Sequence, residues 1–381
     1  MTRRSEGQAL TRKGGGERIQ ALQALRALAF LGIFLSHVSI AHAWAGLSVS
    51  VFFVLSGFLL VLRYNGRALP QSLGERFAFA RRHIARIYPL HLITMALFLI
   101  LRLIIEAMGG LTRGMLLYDL GMTALNVTLL QSWVPDHLVN VSLNGVAWFL
   151  SAMLFLYFIF PSVFKLARRM PGWGRLLAVL LIPIAQIALC VPAKRWMGVD
   201  MYNWFSYCFP IFRLGDFFAG CCLGVRFLCS EWKREDAPAS AAATAAELLL
   251  LCLMVGENLL RHQAHLPPFL ELCFINNTSL YIYLALAWVW LFARHAGLLS
   301  RLLACRPLIA VGNISAYAYL IHYVLTQYAY HSMALFSFYP QGWTRAAIIA
   351  AELLVSLLLS AFYRKMISLR TQLKGVSVIS E

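Results

Sequence analysis

The chain has 381 residues and a formal net charge of +17, with 60% hydrophobic and 13% charged residues; soluble domains run at about 45–50% and about 25%. That balance excludes an ordinary water-soluble domain. Repeated apolar runs of about 20 residues have the length of a crossing helix, and stretches such as "AELLVSLLLSAF" lack the period-two alternation over about ten residues of a membrane barrel. Backbone polar groups must pair internally in lipid, so the expected fold is all-α, a polytopic bundle of transmembrane helices.

Ten spans are predicted, near residues 19–40, 46–62, 87–106, 147–164, 176–193, 205–225, 243–260, 275–293, 308–330 and 346–363. A basic tail (1–18) precedes this transmembrane domain (19–363), and a second tail (364–381) follows it. With the N-terminus in the cytoplasm, 25 of the 33 Lys and Arg residues fall in cytoplasmic tails and loops. Five fall outside (Arg113, Lys194, Arg195, Arg261, Arg345) and three within spans (Arg26, Arg102, Arg213). This asymmetry follows the positive-inside rule and puts both termini in the cytoplasm. The net charge is therefore a topology signal and not a nucleic-acid footprint, with membrane lipid or phosphate-bearing ligands as its partners. The eight cysteines show no CxxC pair and no His/Cys ligand spacing, so they read as packing residues and no metal site is expected.

The first span, "LRALAFLGIFLSHVS" (25–39), follows a basic leader and precedes "AHA" at 41–43, the outline of a cleavable signal. Arg26 and His37 within the run, and nine spans after it, argue that it is retained. Eleven residues at about 100° each make three turns plus about 20°, so the two share a helix face about 16 Å apart. Ionisable groups within a bilayer mark functional sites by default. Next along the chain, Ser56 and Gly57 suit a close approach of spans. Arg81, Arg82 and Arg86 stand at the cytoplasmic entry of span 3, where a phosphate clamp would sit, and plain anchoring is the favoured reading for Arg81. Residues 107–146 form the longest outer connection, a place for re-entrant or interfacial helix. Its Asn126-Val-Thr and Asn140-Val-Ser match the glycosylation pattern but are discounted. Tyr88 and Trp148 lie near span ends, where aromatic belts put such residues. Arg213 and Asp216 are spaced to pair on one helix, and His322 reads as a hydrogen bond between helices. Glu257 and Glu352 are intramembrane carboxylates with no spacing argument.

Six segments, in order, resemble the membrane acyltransferase family 3, integral-membrane O-acyltransferases of extracytoplasmic glycans and some secondary metabolites. They are "LRALAFLGIFLSH", "SVSVFFVLSGFLLVLRY", "FAFARRHIARIYPLHLI", "NGVAWFLSAMLFLYFIFP", "FRLGDFFAGCCLG" and "VGNISAYAYLIHYVL". The chain departs from the family pattern where Met153 and Leu154 replace a Glu pair, where His83 replaces an Arg, and where "YRKM" replaces a late Glu-x-Pro. The resemblance implies acyl transfer from cytosolic acetyl-CoA, or another acyl-CoA, to a hydroxyl of a polysaccharide, lipopolysaccharide or other glycan. The donor would be a co-substrate and no cofactor would be permanently bound. By position and by resemblance His37 is the expected base, with a transient acyl-histidine as the rival role. Arg26 would hold the donor's pantetheine or phosphate portion, with Arg82, Arg86 and Tyr88 binding acyl-CoA. Ser56, Trp148, Arg213, Asp216 and His322 are possible supports, and the expected location is a bacterial cytoplasmic membrane. Two alternatives stand: a transporter or flippase for a lipid-linked sugar, and acylation of a small hydroxylated metabolite such as a macrolide. The absence of a later repeat of "RALAFLGIFLSH" or "FFVLSGF" weighs against the transporter.

Overall fold

A computed structural model describes residues 14–41, 44–230, 239–261, 271 and 279–373, and every regular element among them is helical. The helices used below are α1 (Gly14–His37), α2 (Trp44–Tyr64), α3 (Leu73–Ile84), α4 (Tyr88–Gly109), α5 (Arg113–Val127) and the single turn α6 (His137–Asn140). They continue as α7 (Trp148–Arg169), α8 (Gly172–Trp196), α9 (Val199–Asn203), α10 (Pro210–Cys229) and α11 (Ala241–Arg261). Last come α12 (Tyr281–Arg294), α13 (Leu298–Leu303), α14 (Arg306–Leu335) and α15 (Gly342–Leu373). Seven helices are long and apolar enough to cross a membrane: α2, α4, α7, α8, α14, α15 and the stretch Val199–Cys229. The chain is a polytopic helical membrane protein. The other three expected spans coincide with α1, α11 and α12. Arg26 and His37 lower the hydropathy of α1, and α12 has 14 residues where a perpendicular crossing needs about 20. Residues 272–278, at the start of that expected eighth span, lie outside the described residues.

Local chemistry sets the helix ends. Past His37, Ser39 is left-handed at φ 61°. The Ile40 N–H then reaches the Leu35 carbonyl at 2.9 Å and the Ser39 N–H that of Ser36 at 3.1 Å, the paired closure that ends a helix. The basic helix α3 starts with a capping box between Ser72 and Glu75. Tyr88 and Pro89 open α4, since proline is tolerated in a first turn and disfavours helix before it. "RIYP" is thus the corner between α3 and α4.

The chain divides into two compact units. The first comprises Met1–Gln71, Ile159–Gly198 and Ile211–Asn313. Its core joins Leu22, Leu25 and Ala29 of α1, Val51, Val54 and Phe58 of α2, and Ile282, Val289 and Phe292 of α12. Backbones touch where side chains are missing. A Cβ on Gly57 would strike the Phe217 carbonyl, one on Gly220 the Val54 carbonyl, and one on Gly312 the Gln23 carbonyl. Gly57 therefore does serve close packing of α2 on α10. The Ser56 hydroxyl instead donates to the Phe52 carbonyl of its own helix at 2.7 Å.

The second unit comprises Ser72–Phe158, Val199–Pro210 and Ile314–Glu381. Here α5 lies antiparallel on α4. Arg102 Nε meets Asp119 Oδ1 at 2.6 Å, His91 Nε2 bonds the Asn126 carbonyl at 3.0 Å, and the Tyr88 hydroxyl donates to the Val127 carbonyl at 2.7 Å. Burial pushes the Asp119 carboxyl above its usual range, with Arg102 opposing. From residue 128 to 147 the backbone is largely irregular and packed inside the protein, the condition under which such backbone survives in a membrane protein. Side-chain amides close it. Asn126 Nδ2 donates to Met122 O and Ser142 Oγ, Gln131 Nε2 to Ala147 O, and Asn140 Nδ2 to the Gln131 and Val134 carbonyls. Asn144 Nδ2 and the Tyr319 hydroxyl tie the segment to α14 through Leu320 O and Val146 O.

Candidate functional site

Arg26 and His37 share the uninterrupted helix α1, with His37 in its last turn and about 16 Å of rise between them. Both are half-buried. Arg26 Nη1 lies 3.5 Å from Gln23 Oε1. The Gln23 carbonyl in turn faces Gly312, so the late "VGNIS" motif packs its glycine one turn before Arg26. Gln23 was not a sequence candidate; its place three residues from Arg26 is the signal that could have found it.

Within the same unit, Arg213 and Asp216 are fully buried and pair at 3.7 Å, as their spacing predicts. The Arg213 guanidinium also stands 5.7 Å from the Phe53 ring centroid of α2, a cation–π contact strengthened by exclusion of water. That arrangement locks α10 onto α2. Glu257, on α11, accepts the Tyr281 hydroxyl at 2.6 Å.

The remaining candidates belong to the second unit. Arg82 and Arg86 are exposed, and α3 ends at Ile84 between them, so they straddle a helix end instead of sharing one continuous face. Between them, His83 stacks on Phe79 and Tyr157 with ring centroids 4.2 and 4.9 Å away. The histidine standing in for the family arginine is thus a packing residue. Tyr88 is half-buried and anchors α5. Trp148 corrects its reading as a belt aromatic: it is 4% exposed, stacks 4.9 Å from Tyr207, and its carbonyl takes the Ser132 hydroxyl at 2.9 Å. His322 is fully buried. Its Nδ1 bonds the Ala318 carbonyl at 3.0 Å, one turn back on α14.

Sequence reasoning missed the buried amides Asn126, Gln131, Asn140 and Asn144, although their density in an apolar stretch was the signal. It also passed over His137 of α6, whose Nδ1 lies 3.7 Å from Cys208 Sγ. Burial lowers the His137 pKa, while Asp200 and Asp136 act in the opposite direction. Both Asn126 and Asn140 are 0% exposed, which removes the two glycosylation patterns physically. Among the described residues, no group of three or more His, Cys, Asp or Glu is placed to hold a metal ion.

The chain matches the acyltransferase domain family over residues 19–364. It is 28% identical over 362 residues to acyltransferase MdmB of Streptomyces mycarofaciens, covering 88% of this chain and 86% of that protein. No solved structure matches it significantly.

Proposed function

Since the chain belongs to the acyltransferase 3 family of membrane proteins, we propose that it transfers an acetyl group from cytosolic acetyl-CoA to a hydroxyl of an extracytoplasmic polysaccharide, lipopolysaccharide or other glycan. The observation that carries this reading is the Arg26–His37 pair on one unbroken helix. His37 removes the acceptor's hydroxyl proton as its oxygen attacks the thioester carbonyl. The C–O bond forms, the C–S bond breaks, and the imidazolium returns the proton to the departing CoA thiolate. Arg26, about 16 Å nearer the helix start, grips the phosphate or pantetheine portion with a guanidinium that stays charged. Arg82 and Arg86, exposed at the α3–α4 corner, take the donor phosphates from the cytoplasmic side of a bacterial inner membrane.

The test is O-acetyl analysis of envelope and secreted polysaccharide in a deletion strain. Complementation with the wild-type gene restores the acetyl esters; His37→Ala, expressed at the same level, does not. Full acetylation by the alanine variant would remove His37 from the chemistry. An unchanged ester content in the deletion strain would remove the glycan as acceptor.

A further inference from the structure

The second unit carries a cavity of about 250 Å³ that the acyl-transfer chemistry does not use. Phe77 and Ala80 of α3, Leu130 and Trp133 of the irregular segment, and Leu154 and Phe158 of α7 line it. Its one polar side chain, Ser151, is already committed, donating to the Leu129 carbonyl at 2.6 Å. Small-molecule pockets run to about 300–1,000 Å³ with a few convergent polar groups. This one is smaller and almost entirely apolar, the shape for an alkyl chain without its head.

The head's place is marked on α3. Residues four apart lie on one helix face, which aligns Leu73, Phe77 and Arg81. Leu73 is 73% and Phe77 58% exposed, and Arg81 is exposed too. The Arg81 guanidinium makes no hydrogen bond or ion pair among the described residues. This is the face of a helix lying in a membrane interface, with apolar groups below and a cation at headgroup level. Arg81 stands one turn along α3 from Phe77, a lining residue, whereas Arg82 points about 100° further round. We propose that this groove binds one acyl chain of an anionic phospholipid, with the lipid phosphate on Arg81.

The full-length protein is reconstituted in vesicles of equal phosphatidylglycerol and phosphatidylcholine, and the phospholipid it retains is identified by native mass spectrometry. One arginine near an anionic surface corresponds to about fivefold enrichment of the anionic lipid. Arg81→Gln abolishes the enrichment while a phospholipid is still retained. Leu154→Trp, which fills the groove, loses the lipid altogether. Wild-type enrichment in Arg81→Gln would overturn the proposal, and because Arg81 is exposed that variant decides the matter even if Leu154→Trp does not fold. Displacement of the lipid by added octanoyl-CoA would also overturn it, assigning the groove to the donor's acyl chain.

Discussion

Arg26 and His37 differ in the kinetic parameter each should move. Loss of a general base costs about 10²–10⁴-fold in rate, so His37→Ala is expected to lower kcat by that order with donor KM little changed. Arg26→Lys keeps the charge but loses the planar fork; it is expected to raise the KM for acetyl-CoA in steady-state assays on purified protein. His137 gives a pH prediction of known sign. Burial holds its folded pKa below the ordinary value of 6.5, so the unfolded chain takes up its proton first as pH falls. Its stabilising contribution is full above the ordinary value and lost as pH drops toward the folded one. Thermal melts in detergent between about pH 7 and about pH 5 should fall for the wild type and flatten for His137→Gln. Residue identity alone could single out Arg26 and His37 for the proposed roles, because an ionisable pair in an apolar run is conspicuous. It could not expose His137, whose environment depends on Asp200, 63 residues later.

At the scale of helices, glycines of the same type should respond with opposite sign. Gly57→Ala and Gly220→Ala each push a methyl into a carbonyl of the neighbouring helix and are expected to destabilise by about 1–3 kcal/mol. Gly121, inside α5, has open space within 4 Å of the point where a methyl would sit, so Gly121→Ala should stabilise by about 0.5–1 kcal/mol. Differential scanning fluorimetry of the three variants separates the two cases. Ser39→Gly should also raise stability, since Ser39 holds a left-handed conformation that costs a non-glycine residue about 1 kcal/mol. The long helices were readable because length and hydropathy are summed over many residues, so Arg102 or Pro161 perturbs the total without hiding it. The α3–α4 corner was readable from "RIYP". The end of α3 at Ile84 was not, because it depends on where the corner's hydrogen bonds close.

For the molecule as a whole, the least readable part is residues 128–147. Its backbone is satisfied by amides whose partners are set by tertiary packing, and hydropathy assigns the stretch to an outer loop. One consequence is chemical: Asn126 and Asn140 are both fully buried, so neither side-chain amide is open to modification once the segment has closed. Another concerns biogenesis. Two hydrogen bonds that fasten the 128–147 segment come from Leu320 and Tyr319, far downstream in the chain: the Leu320 carbonyl takes Asn144, and the Tyr319 hydroxyl reaches the Val146 carbonyl. A ribosome must therefore thread most of the protein before those partners exist. Until then the nascent chain holds α4, α5 and α7 with an unfinished link between them. Arrested chains too short to expose Tyr319 and Leu320 outside the ribosome should show protease cleavage within 128–147, and longer ones protection. The irregular segment is made early and completed late, so the order of translation is not the order of assembly.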